Sequence, residues 1–210
     1  MALQVGFAMV AAYLLGSIPS GVLIARRFRG RDIRELGDGN TGARNVTHVL
    51  GWGAGILTAG MDFAKGALAV LLAVRIDLPE GFQMAAGVCA VLGHDFPLFA
   101  HFRGGQGMAT ILGALMALMP AATLLGLAIF ALIYAITRKF DLSAGLGLGT
   151  LAATAYITEP SWLGAGYAAV MFLTIPVKKW LDRPRAAQAA RLAEMENESH
   201  SNRWGKKTLY

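Results

Sequence analysis

The feature that most constrains this chain is a succession of apolar stretches, at roughly 3–25, 52–76, 83–100, 108–137, 142–157 and 161–177, separated by short polar loops. Hydrophobic residues make up 55% of the 210 residues and charged residues 15%, with a mean hydropathy of +0.50, which is too little polar surface for a soluble domain. The bilayer must then be the solvent, and backbone groups inside it must be satisfied within helices. Gly at 26 positions fits a packed membrane bundle, because small residues let helix backbones approach closely. The expected fold is all-α, integral to the membrane and multi-pass.

A straight span takes about 20 residues, so the last two stretches are expected to tilt or to lie partly within the bundle. The stretch 108–137 is long enough for one helix, but Pro120 lies inside it and the placement of Lys and Arg argues for two. Loop 26–50 carries six Arg, loop 77–82 carries Asp77 and Glu80 without Lys or Arg, loop 101–107 carries Arg103, and Arg138 and Lys139 follow the long stretch. A turn at 119–121 puts every basic loop on one face. The prediction is a compact bundle of about seven helices, N-terminus outside and C-terminus cytoplasmic. Residues 1–181 form the membrane domain and 182–210 a basic cytoplasmic tail, with an interfacial helix over 183–198 and a disordered end. The first segment has no positive n-region and reads as a retained span.

The net charge of +6 does not point to nucleic acid. Segment 178–210 holds eight Lys/Arg against four Asp/Glu, leaving only +2 elsewhere, the pattern of a juxtamembrane tail drawn to anionic lipid headgroups. The single Cys89, inside an apolar run, provides neither a disulfide framework nor a Cys-based metal site. No cofactor and no metal are expected.

Three polar clusters carry the chemistry. Loop 37–45, GDGNTGARN, follows Arg31, Arg34 and Glu35, and its Gly37, Gly39 and Gly42 allow backbone N–H groups to converge as an anion-binding nest, with Arg44 for a bidentate contact. It has neither the Gly-Lys-Ser/Thr of a Walker A loop nor the preceding strand of a dinucleotide fingerprint. Asp38 repels a phosphate there unless it caps a helix or meets Arg44. The second cluster, 94–107, sets His94, Asp95, His101, Arg103 and Gln106 around a turn containing Gly104 and Gly105. His94 suits a general base or a phosphate hydrogen-bond donor, and a bland reading keeps both histidines as interfacial polar residues. The third is Asp62 and Lys65, three residues apart on one helix face within an apolar stretch, an ion pair or a substrate contact. Ser17 and Ser20, in GSIPSG, break the first span, either as a packing kink or as lining of the same site.

In this order, GSIPSG at 16–21, DIRELGDGNTGARNV at 32–46, DFAKG at 62–66 and GHDFPLFAHFRGGQGMAT at 93–110 resemble the acyl-phosphate-dependent glycerol-3-phosphate acyltransferases of bacterial membranes, the PlsY family, over about the first 145 residues. The resemblance implies a seven-helix bundle in the bacterial inner (plasma) membrane with a cytoplasmic active site. It implies transfer of a fatty acyl group from acyl phosphate to the 1-hydroxyl of glycerol 3-phosphate, giving lysophosphatidic acid and phosphate, and a partnership with membrane lipids and the enzyme that makes acyl phosphate. An acyl phosphate is already activated, so positioning and charge stabilisation suffice without a nucleophilic Ser or Cys. By similarity, Gly37, Gly39, Asn40, Gly42 and Asn45 hold the donor phosphate, and His94, Gly104 and Gly105 form the neighbouring wall. His94, Asn40 and Asn45 are the catalytic candidates, Arg44, Arg103 and Gln106 bind phosphate, and Ser17, Ser20, Asp62 and Lys65 support the site.

The departures from the family pattern are Asp38 for Ser, Arg44 for Thr, His48 for Arg, Gln106 for Lys and Asp141 for Ser, and a C-terminal His-Arg-x-Asn-Ile motif has no counterpart. Arg44 is read as replacing the cation lost at His48, and Arg103 as offsetting Gln106. Two rivals follow: the same donor with a different acceptor, or a catalytically degenerate protein that binds a lipid phosphate. A transporter is a third class, disfavoured by the lack of an inverted repeat.

Overall fold

The computed structural model describes residues 1–158 and 160–205. Among them there are helices and turns and no strand. The first apolar stretch forms α1 (Ala2–Gly16) and α2 (Ser20–Arg29), interrupted at 17–19 where Pro19 has no N–H to continue the ladder. A short helix, α3 (Ala43–Leu50), lies within the basic loop, followed by α4 (Trp52–Arg75) and α5 (Glu80–Asp95). The long stretch is divided as the charges require: α6 (Met108–Leu118) ends, Met119 turns at φ −137° and ψ 71°, and Pro120 opens α7 (Pro120–Thr137) from the first helical position. Beyond it, α8 (Phe140–Ser143) runs through a π-helical turn (Ala144–Leu148) towards α9 (Leu151–Thr158), and α10 is Trp162–Gly205. With α1/α2 counted as one broken pass and α8 to α9 as another, seven segments among the described residues make the bundle.

Among the described residues, four stretches are long and apolar enough to cross a membrane: Ala2–Arg29, Trp52–Arg75, Glu80–Ala100 and Pro120–Thr137. At 11 residues, α6 extends only about 17 Å and is half-spanning. It packs on α4, and α1 packs on α5, through small-residue crossings. A Cβ on Gly66 would strike the Thr110 carbonyl and one on Gly113 the Phe63 carbonyl; Gly16 and Gly93 play the same parts between α1 and α5. Ile111, Leu115, Leu148, Leu151 and Met171 fill the core where α6, the π-helical turn, α9 and α10 meet.

The helix in the tail is longer than expected: α10 continues to Gly205, past the end expected at 198. It carries Pro176 and Pro184 inside it, and the Ala-, Arg- and Glu-rich sequence beyond has the propensity to extend the helix. Residues 206–210 of the expected disordered end lie outside the described residues. Lys178, counted above with the basic tail, is 1% exposed, ion-paired with Asp182, and its ammonium sits 5.3 Å from the centre of the Phe96 ring. A cation with both partners stays inside the bundle instead of facing headgroups.

Candidate phosphate site at the loop end of the bundle

Two long-range contacts bring the basic loops together. Arg34 Nη1 donates to the Ala100 carbonyl at 2.8 Å, and Arg44 Nη1 meets Asp141 Oδ1 at 2.9 Å. Loops 26–50, 98–107 and 138–141 therefore share one end of the bundle, with the 76–79 turn at the far ends of α4 and α5.

Within loop 37–45 the organiser is Asn45, which is 2% exposed. Its Nδ2 donates to the carbonyls of Asn40 at 2.8 Å, Leu36 at 2.9 Å and Ile33 at 3.4 Å, while its Oδ1 accepts the Asp38 N–H at 3.1 Å. The amide's donors are thus committed to shaping the loop, a structural use of a residue read above as catalytic. Gly37 is left-handed at φ 61°, and a Cβ there would run into Asn45 Oδ1. Asp38 Oδ1 accepts the Asn40 N–H at 3.0 Å and Asn40 Oδ1 accepts the Gly42 N–H at 2.9 Å, two side-chain-closed turns in succession.

These bonds relocate the expected nest. The N–H groups of Asp38, Gly39, Asn40 and Gly42 are consumed inside the loop. Those of Thr41, Ala43, Arg44 and Asn45 make no hydrogen bond among the described residues, and the last three are the open first turn of α3. Unspent N–H groups at a helix N-terminus favour an anion. The 37–42 loop is thus the mould that aims α3.

His94, in the last turn of α5, is 7% exposed. A Cβ at Gly105 would collide with its Nε2 and come within 3.3 Å of Thr41 Oγ1, so the imidazole edge, the Thr41 hydroxyl and the bare Gly105 backbone converge. Gly104 is closed off in the same way by the His94 carbonyl and Pro97. Behind the imidazole, Nδ1 lies 3.5 Å from Asp62 Oδ1, the same oxygen that Lys65 Nζ meets at 2.9 Å. Lys65 also donates to the Ile18 carbonyl at 3.0 Å, so the break in the first span supplies a backbone partner for a buried cation. Ser17 and Ser20 beside it are buried, and their hydroxyls have no partner among the described residues.

The structure brings His94, Gly104, Gly105, Asp62, Lys65 and the Gly37, Gly39, Asn40, Gly42, Asn45 loop into one assembly. Arg44 does not pair with Asp38 but with Asp141. The side chains of Arg103, Gln106 and His48 make no hydrogen bond or ion pair among the described residues, and Arg103 and His48 are exposed. Three contributors were missed. Thr41 closes the wall opposite His94. Asp32 caps a 3-10 turn (Ile33–Glu35) and grips Arg34 through both carboxylate oxygens, at 2.9 and 2.7 Å. The Arg34 guanidinium holds the Asp32 carboxyl well below the usual carboxylate range, and Asp32 raises Arg34 in turn. The local signal was Asp32 at a cap position. Lys178, against the Phe96 ring two residues beyond His94, is the third, and a lysine at the end of an apolar run has no local mark of burial.

Fold and site together define an integral membrane helical protein with an imidazole and an open helix terminus at one end of its bundle. The family model described as glycerol-3-phosphate acyltransferase matches residues 6–186. The chain belongs to that family and is an acyltransferase. The glycerol-3-phosphate acyltransferase of Myxococcus xanthus is 38% identical over 188 residues, covering 89% of this chain and 96% of that protein. Glycerol-3-phosphate acyltransferase 1 of Deinococcus radiodurans is 42% identical over 179 residues, covering 82% and 86%. Crystal structures of PlsY (YgiH), an integral membrane glycerol 3-phosphate acyltransferase, in glycerol 3-phosphate and lysophosphatidic acid forms, align with TM-scores of 0.77 and 0.76 at 31% and 30% identity. Each alignment covers 88% of this chain and 92% of that protein.

Proposed function

We propose that the chain transfers a fatty acyl group from acyl phosphate to the 1-hydroxyl of glycerol 3-phosphate, releasing lysophosphatidic acid and inorganic phosphate. The hydroxyl oxygen forms a new ester bond to the acyl carbon, the acyl–phosphate C–O bond breaks, and the hydroxyl proton leaves with the phosphate or through His94. The observation that carries the reading is the convergence of His94 Nε2, Thr41 Oγ1 and the Gly105 backbone beside the unspent N–H groups of α3. Such fixed donors, set where a phosphate leaves, act by positioning and charge stabilisation and need no covalent intermediate. The relatives' activity and the glycerol 3-phosphate form of the structural neighbour support the same acceptor. In this reading Gly37, Gly39, Asn40, Gly42 and Asn45 build the mould, His94, Gly104, Gly105 and the first-turn N–H groups of α3 contact the donor phosphate, and Arg44, Arg103 and Gln106 face the acceptor. The bundle sits in the bacterial inner membrane, N-terminus outside, with this end in the cytoplasm beside the source of acyl phosphate.

One observation favours a second reading with the same donor and another acceptor. Arg44, the replacement cation, is engaged by Asp141. Purified protein with a long-chain acyl phosphate decides between them. Phosphate release that requires glycerol 3-phosphate is the expected result; release that requires a different hydroxyl acceptor supports the second reading, and none with any acceptor rejects both. A His94→Ala variant with an intact kcat assigns the proton to the leaving phosphate.

A further inference from the structure

Arg44 and Asp141, 97 residues apart, are two of the positions at which this chain departs from the family pattern, and they pair with each other at 2.9 Å. Phe140, beside Asp141, lies under the same guanidinium at 5.6 Å. Both charged side chains are about two-thirds exposed, at 67% and 66%. Arg44 also stands in the first turn of α3, whose N–H groups are unspent, so its side chain leaves the very turn an anion would occupy. Carboxylate and phosphate oxygens compete for the same guanidinium fork, and an exposed pair is weak enough to be exchanged.

We propose that Asp141 is a latch on Arg44. It holds the guanidinium on α8 until a phosphomonoester dianion takes it, so that the 140–141 segment sets how strongly the site grips the phosphate of its acceptor. The π-helical turn directly after α8 is a departure from the regular α ladder of the kind found at functional sites. The proposal rests on the acyltransferase reading above only in naming the acceptor as the phosphate's owner; the latch itself is a property of binding.

Titration calorimetry of the full-length protein with glycerol 3-phosphate, and separately with inorganic phosphate, tests it. Asp141→Asn and Asp141→Ala should bind about two- to fivefold tighter than the unaltered chain, the range of an exposed ion pair. Arg44→Ala should bind at least about tenfold more weakly, having lost a charge-assisted contact. Adding Asp141→Asn to Arg44→Ala should return nothing, because the latch has lost its object. Binding unchanged or weakened by Asp141→Asn, an equal gain without Arg44, or no phosphate binding by any variant overturns the latch. Absent acyl transfer with these shifts intact refutes the reaction and leaves the latch standing. Because both side chains are exposed, unfolding curves of the variants should coincide, which separates a binding effect from a folding one.

Discussion

The buried framework of the site and its exposed mouth are made to different rules. Asn45, Asp62, Lys65 and His94 are all buried, and the side-chain donors of Asn45 and Lys65 are matched to nearby oxygens. Asp38, Arg44, His48 and Asp141 are exposed, and Gln106 is half-buried. The four buried residues all belong to stretches that resemble the family, and the five departures are all exposed or half-buried. In a buried network each group depends on its partner, because a stranded one loses its full solvation. At the mouth, water replaces a lost partner, so charge there can change while the mould beneath keeps its shape.

The largest expected effect breaks the framework at its deepest pair. Asp62→Ala strands the buried Lys65 and should cost about 3–5 kcal/mol of stability, whereas Asp62→Leu with Lys65→Met should recover most of it. Unfolding in detergent checks both. Next, Asn45→Ala leaves the carbonyls of Leu36 and Asn40 without their donor and should cost about 2–3 kcal/mol, with the KM for acyl phosphate raised at least tenfold. Gly105→Ala pushes a methyl into His94 and Thr41; about 1–3 kcal/mol and a lowered kcat at unchanged fold are expected.

Asp32 gives a pH-dependent effect of smaller size. A carboxyl held below its unfolded value contributes stability that is complete above the unfolded pKa of about 3.9 and is lost as pH falls toward the lowered folded value. Melting temperature should therefore fall more steeply with acidification in the unaltered chain than in Asp32→Asn. The smallest effect belongs to the mouth: Asp141→Asn should leave stability within about 0.5 kcal/mol. If it destabilises as much as Asn45→Ala, the contrast between framework and mouth is wrong.

Much of the fold was legible because its cues are local. Apolar length marks the spans, Pro120 and the Lys/Arg pattern divide 108–137, and the spacing of Asp62 and Lys65 puts them on one helix face. The glycines that let loop 37–42 turn were legible, but the N–H groups it spends on itself were not. That depends on Asn45 reaching back five to twelve residues to three carbonyls. Helix α3 was hidden inside a polar loop, since eight residues carry too little apolar pattern to register. The Arg44–Asp141 pair, the burial of Lys178 and the Arg34–Ala100 tie join distant segments, and only the packed bundle creates them.

The central claim is that this framework transfers an acyl group from acyl phosphate to glycerol 3-phosphate. It is tested most directly by mass analysis of the products formed from an isotope-labelled long-chain acyl phosphate and glycerol 3-phosphate. The account predicts labelled lysophosphatidic acid and inorganic phosphate in one-to-one amounts, falling together in Asn45→Ala at limiting acyl phosphate. Labelled free fatty acid in place of lysophosphatidic acid, or no consumption of the acyl phosphate, would contradict it.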